Sequence, residues 1–240
     1  MTDAHCHVSC GDSSVRELLV GRDFFGVHPW ETLDDGTTGT GGTTETRRAL
    51  VPDIPVVPDV SSLASLRANL LDHPNAGVGE IGLDRLKSRD ISPRMREIFE
   101  AQLALALELH RPVVLHGAKC WGQVVAAVKR MIGDGLATGD KRQSFLFHGF
   151  SRSDGLIPEI VKLNGFISVG PAILNDHAVN YRELVKKIPL DRLLVETDRT
   201  SSDSPSISDV LAKTADILNL SAAELERITD ENADRFLGTV

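Results

Sequence analysis

A surplus of basic residues is the first thing this sequence lacks. Lysine and arginine number 26 against 34 aspartates and glutamates, a formal net charge of −8. A protein that coats nucleic acid through many phosphate contacts needs a broad basic face, so that class is excluded. An enzyme that grips one or two phosphates through metal ions is not. Cysteine is scarce as well. Cys6, Cys10 and Cys120 are an odd number with no framework spacing, which excludes a disulfide scaffold and predicts a reducing compartment. No apolar run approaches the roughly 20 residues of a membrane-spanning helix. The opening MTDAHCHVSC has no basic segment leading into an apolar core, so no secretory signal is expected. The expectation is a soluble intracellular protein, cytoplasmic or nuclear, with no membrane partner. Its 240 residues suit one domain, residues 1–240, better than two.

What is present is a series of apolar strands that end in polar groups. Asp3-Ala4-His5-Cys6-His7 reads as a short first strand. Side chains alternate along a strand, so His5 and His7 share a face and Cys6 turns away as a small buried residue. Phe24 to Val27 leads into His28, and Pro29 ends that strand. Ala76 to Asp84 carries Glu80 between glycines. Pro112 to Leu115 ends in His116, Phe145 to Phe147 in His148, and Leu193 to Thr197 in Asp198. Glu196 shares the face of Asp198 and is a candidate supporting partner. Helical patterns lie between the strands. Ser61 opens one with Leu63, Leu66, Leu70 and Leu71. Ser92-Pro93 caps another, with Met95, Ile98, Phe99, Leu103, Ala106 and Leu107 as its buried stripe. Ser221 to Glu224 is a capping box. Asp34 to Thr46 is Gly/Thr-rich and reads as a loop.

Strands alternating with helices imply a parallel sheet. One layout brings many strand C-termini to a common rim, the (β/α) barrel; a doubly wound sheet gathers only those beside its switch point. Imidazoles and carboxylates gathered there form a mixed N/O donor set for one or two divalent ions such as Zn, Mn or Mg. Glu80 can bridge two ions. Asp198 can bind an ion and take a proton from the water it activates. Two ions would clamp an in-line displacement, which is hydrolysis. His73, His110 and His177 have no strand context that assigns them a role.

Six co-ordered motifs carry a resemblance: DAHCH at 3–7, GVHPW at 26–30, GEIGLD at 79–84, VLHG at 114–117, FHGFS at 147–151 and LVETD at 194–198. Together, with the closing NADRFLG at 232–238, they resemble the TatD family of metal-dependent hydrolases. The resemblance implies a TIM-type barrel of the metal-dependent hydrolase superfamily. It implies divalent-metal phosphodiester hydrolysis of nucleic acid ends, a DNase acting as an exonuclease. It assigns His5, His7, Glu80 and Asp198 to one metal and Glu80, His116 and His148 to a second, with Asp198 as general base and His28 facing the phosphate. The tryptophan after His-Pro is similar to a fungal branch of the family, which adds a protein partner to the expectations.

Three departures stand out. Twenty residues separate His7 from His28, where the family has helix, strand and helix, so the barrel is expected to lack one N-terminal β/α unit, with Arg16–Gly21 (RELLVG) as a remnant. After His116 comes Gly-Ala-Lys, and Lys119 takes the place of a phosphate-binding arginine as a point charge. After Asp198 come Arg199 and Thr200; Arg199 and Arg85 are further candidate phosphate contacts. Two competing readings follow: a small-molecule amide or ester hydrolase of the same superfamily, and a catalytically degenerate barrel that binds a protein partner.

Overall fold

The computed structural model describes residues 1–32, 63–87, 89–133 and 143–239. The loop expected at Asp34 to Thr46 lies outside them. Among the described residues there are eight strands: β1 Thr2–Cys6, β2 Arg16–Leu19, β3 Phe24–Phe25, β4 Gly77–Asp84, β5 Val113–Ala118, β6 Phe145–Phe147, β7 Gly165–Val169 and β8 Leu193–Val195. The helices are α1 Leu63–Asp72, α2 Pro93–Glu108, α3 Trp121–Ile132, α4 Ile157–Lys162, α5 Val179–Val185, α6 Ile207–Leu218 and α7 Ala222–Leu237. Strands β3 to β8 form one parallel sheet in sequence order, and β1 pairs with β2 in a second. The ring closes between β8 and β1. There the Asp198 N–H donates to the His5 carbonyl at 3.0 Å and the His7 N–H to the Arg199 carbonyl at 2.9 Å. Asp3 fastens the same seam, accepting from the Thr197 N–H at 2.9 Å and the Thr197 hydroxyl at 2.6 Å. The result is the expected TIM-type α/β barrel.

The expectation of a missing β/α unit is corrected in one respect. The strand is there: Arg16–Leu19 is β2. What is missing is helix, since no helix is described between β1 and β2 or between β2 and β3. Parallel neighbours ordinarily need a crossover of about a dozen residues or more. Here residues 20–23 alone join β2 to β3. The ladder between them is accordingly reduced to a single bridge, Val20 to Phe24.

Local rules explain most of the rest. Ser92 caps α2, its hydroxyl accepting from the Met95 N–H at 3.0 Å, and Ser221 caps α7 through the Glu224 N–H at 3.2 Å. In α2 Met95, Phe99, Leu103 and Ala106 are buried as their spacing requires. In α1 only Leu66 and Leu70 are buried; Leu63 and Leu71, expected in the same stripe, are exposed. Among the described residues no helix is long and apolar enough to cross a membrane.

An inner core fills the barrel. It contains Leu18, Phe24, Val114, Leu146, Phe166 and Leu194, closed by Ala233 and Phe236 of α7. Phe236 stacks on Phe24 with centroids 5.9 Å apart, and its carbonyl accepts from Ser144, just before β6. Helix α7 therefore plugs the N-terminal end. Two residues beyond Val114, Leu146 and Leu194 stand His116, His148 and Glu196. Strand alternation aims them the same way, one layer up toward the C-terminal rim.

Candidate metal centre

Glu80 is the hub. It lies in mid-β4 rather than at a strand end, because β4 runs on to Asp84. Gly82 lets the neighbouring strand come close: a Cβ there would stand 2.0 Å from the His116 carbonyl oxygen. The Glu80 carboxylate is buried and its two oxygens face different groups. Oε2 lies 3.3 Å from His5 Nε2 and 3.4 Å from His7 Nε2. Asp198 Oδ1 completes that side, 3.7 Å from His5 Nε2 and 3.4 Å from His7 Nε2. Oε1 lies 2.5 Å from both His116 Nδ1 and His148 Nε2, and these two nitrogens are 3.3 Å apart.

The first group has the spacing of co-ligands. Donor atoms each about 2.1 Å from one tetrahedral ion stand about 3.4 Å from one another. His5 is fully buried, yet among the described residues neither of its ring nitrogens has a hydrogen-bond partner. A buried imidazole left in that state is costly unless a cation takes its lone pair. The residues present fit a divalent ion on this ground. The second group is drawn inward into direct carboxylate–imidazole hydrogen bonds, with the same donor chemistry.

The electrostatics agree. Burial alone would raise Glu80, but His148 and His116 hold it well below the usual carboxylate range. Burial likewise opposes charging of the imidazoles. Even so, Asp198 and Glu80 push His7 up to about 9, Glu80 and Glu196 carry His148 well above its ordinary value, and Asp84 and Glu80 raise His116. The pocket favours positive charge, which a divalent ion supplies without protons.

The supporting residues were less legible. Asp84, the last residue of the GEIGLD motif, accepts from His116 Nε2 at 2.8 Å. Burial opposes its ionisation, but His116, the Leu86 N–H and the Trp30 side chain lower it to about 2. Glu196 faces His148 Nδ1 at 3.5 Å while accepting from the Gly149 N–H at 2.7 Å and Ser168 Oγ at 2.5 Å. Gln102 was invisible within an apolar stripe. It is buried and clasps the Val27 backbone, accepting from its N–H at 2.6 Å and donating to its carbonyl at 3.2 Å, which fixes the segment entering His28. Replacing Asp84 by alanine is expected to weaken metal affinity 10- to 100-fold, because His116 loses the group that orients it. A competitive metal titration reads this directly, and an unchanged affinity would remove Asp84 from the site.

His28 reaches the same cluster, its Nε2 3.5 Å from Glu80 Oε1. Its Nδ1 accepts from the Trp30 N–H at 3.1 Å, so the ring carries its own proton on Nε2. In that tautomer His28 presents a donor, and its Nε2 also falls with Glu80 and His116 in a group of metal-ligand spacing. Lys119 is exposed on the wall of a cleft of about 660 Å³ that His116, His148 and Asp198 also line. Arg199 is buried with its guanidinium on the Pro205 carbonyl, and Arg85 donates to the Arg89 carbonyl. Neither is among the residues that line that cleft. Cys6 is buried, its thiol directed at the Leu18 carbonyl.

The family described as TatD related DNase matches residues 21–238. The match begins after β1 and β2, yet β1 delivers His5 and His7 to Glu80. The chain is 30% identical over 169 residues to an uncharacterized metal-dependent hydrolase, YabD, of Bacillus subtilis, covering 66% of this chain and 64% of that one. It is 32% identical over 122 residues to the 3′-5′ ssDNA/RNA exonuclease TatD of Klebsiella pneumoniae, covering 50% of this chain and 44% of that one. It is 33% identical over 132 residues to the human 3′-5′ RNA nuclease TATDN2, covering 53% of this chain and 16% of that one. The chain thus spans less than two thirds of the length of these relatives. The solved structure of the TatD homolog YjjV from Escherichia coli superposes with a TM-score of 0.65 at 23% identity, covering 94% of this chain and 78% of that one. A TatD family hydrolase from Entamoeba histolytica gives 0.63 at 15% identity, covering 92% and 75%. Both show the barrel. With a family match that runs from β3 to the end of α7, the chain belongs to the TatD-related DNase family of metal-dependent hydrolases.

Proposed function

We propose that the chain is a divalent-metal-dependent phosphodiesterase that shortens nucleic acid from its ends. The observation that carries this reading is the division of labour at Glu80, with one carboxylate oxygen toward His5, His7 and Asp198 and the other toward His116 and His148. That arrangement suits a pair of ions sharing one carboxylate. Bound there, Mg, Mn or Zn would lower the pKa of a water and neutralise phosphate charge. Nuclease names among the relatives support the same substrate class.

The chain's own groups divide the remaining work. The Asp198 side chain is 48% exposed, so it reaches the open cleft. Burial resists its ionisation, but His7 holds it below the usual carboxylate range, and it stands ready as base. It takes the proton of the attacking water as the water oxygen bonds phosphorus and the bond to the leaving nucleoside oxygen breaks. His28 donates from Nε2 to a phosphate oxygen at the mouth. Lys119 adds a point charge from the cleft wall.

The test is single-stranded DNA or RNA labelled at its 5′ end, incubated with purified protein and Mg, Mn or Zn. Stepwise shortening is expected, slowed 10²- to 10⁴-fold by Asp198→Ala through loss of the base. Metal-loaded protein that cleaves no better than that variant would overturn the reading.

A further inference from the structure

A second cavity adjoins the cleft over the metal donors. It measures about 560 Å³, and Ser151, Arg152, Ala172, His177, Val179 and Tyr181 are on its walls. Ser151 and Arg152 also line the cleft that holds His116, His148 and Asp198. The two hollows therefore adjoin at Ser151 and Arg152, and together they line a trough along the C-terminal rim, from the loop after β5 past the loop after β6 to the segment after β7. All the candidate ligands that touch the trough lie in its first half. The second half holds none of them.

Its chemistry is still that of a site. Among the described residues, none that lines the second hollow is acidic, on a chain whose net charge is −8. Arg152 is exposed in a left-handed backbone conformation, φ 60°. Among the described residues its guanidinium has no hydrogen bond or ion pair. The nearest acid in the chain, Asp154, is occupied by Lys187 at 2.5 Å. The apolar wall comes from Ala172 and the exposed Val179, and Tyr181 is held in place by accepting from the Gly170 N–H at 3.1 Å. A free arginine fork beside a hollow with apolar and imidazole walls is suited to a phosphate with a base attached. Each hollow lies within the roughly 300–1,000 Å³ range of small-ligand sites.

We propose that this second hollow is the subsite for the nucleotide next to the scissile phosphodiester, and that Arg152 grips the phosphate one step along the strand. The proposal rests on the nuclease reading and deepens it, naming a single strand of at least three nucleotides as the preferred substrate. A dinucleotide has one phosphodiester, the one that is cut, and leaves Arg152 unused.

The experiment compares kcat/KM for a dinucleotide with that for a tetranucleotide of the same terminal sequence. Wild type is expected to prefer the tetranucleotide by about tenfold or more, the range a charge-assisted contact gives. Arg152→Ala is expected to erase about tenfold of that preference, mainly in KM. Arg152→Lys is expected to recover part of it, as a point charge without the fork. A second readout needs no turnover. Fluorescence anisotropy of a labelled tetranucleotide on Asp198→Ala and on Asp198→Ala/Arg152→Ala, over a salt series, is expected to show the slope of log affinity falling by about 0.7 when the arginine is lost, one phosphate's worth on a single strand. An equal length preference in wild type and Arg152→Ala, or an unchanged salt slope, overturns the subsite while leaving the nuclease reading intact. Cleavage of neither substrate by metal-loaded wild type overturns the nuclease reading, and the subsite with it.

Discussion

Replacing Glu80 by glutamine is expected to reduce phosphodiester turnover by about a thousandfold or more and to lower the bound metal to at most one ion per chain. Glutamine keeps the size and shape of the side chain but not its charge. At present the two carboxylate oxygens serve two groups of imidazoles, with His5 and His7 about 3.3–3.4 Å from one and His116 and His148 2.5 Å from the other. A carboxamide offers one acceptor oxygen and turns an N–H toward the other group, where it repels a cation. The loss of transition-state charge stabilisation is several kcal/mol, and each 1.36 kcal/mol is tenfold in rate. Elemental analysis of the purified variant beside wild type measures the first consequence, and single-turnover kinetics the second. The variant retaining two ions and wild-type turnover would show that Glu80 is not the bridge.

Removing metal is expected to lower the melting temperature by roughly 8–16 °C relative to protein held at a thousandfold excess of metal over Kd. Such an excess stabilises a folded chain by about 4.1 kcal/mol, and about 2–4 °C follows from each kcal/mol in a chain of 150–250 residues. The effect depends on pH with a definite sign. His7 sits at about 9 in the folded, metal-free chain, above its ordinary 6.5. That shift stabilises the metal-free fold fully below pH 6.5, and the contribution is lost as pH rises through 9. Metal ligation needs the neutral imidazole, so below pH 9 an ion must displace the proton. Apparent metal affinity should therefore climb with pH, about tenfold per unit for each proton displaced, and level off near pH 9. Melting curves with and without chelator at pH 6, 7 and 8 test this, with the metal-dependent gap widening as pH rises. A gap that narrows would mean that the ions do not compete with protons at these imidazoles.

These two results bear on different parts of the chain. The first depends on β4, where the sequence sets Glu80 between glycines and the structure brings the neighbouring strand close at Gly79 and Gly82. The second depends on β1, the corner of the barrel that the shortened segment after His7 follows directly. Closure of the ring at His5–Asp198 and His7–Arg199 secures that corner despite the missing helices. The competing reading of a degenerate barrel takes its motive from the shortened segment after His7, and metal content decides it.

By itself the sequence determined the strand alternation, the caps at Ser92 and Ser221, and the order and chemical type of the donors, because each of these depends on neighbours within a few residues. It determined that imidazoles and carboxylates from separate strands would share one rim. Only the tertiary structure decided that Arg16–Leu19 is a strand, since a four-residue strand makes no hydrogen bonds of its own and exists by pairing with β1. Only it decided that Asp84 holds His116, that Glu196 faces His148 and that Gln102 clasps Val27. A carboxylate or amide reads the same in a sequence whether it faces water or a ligand. Its partner lies 32 to 75 residues away, and packing alone brings the two together.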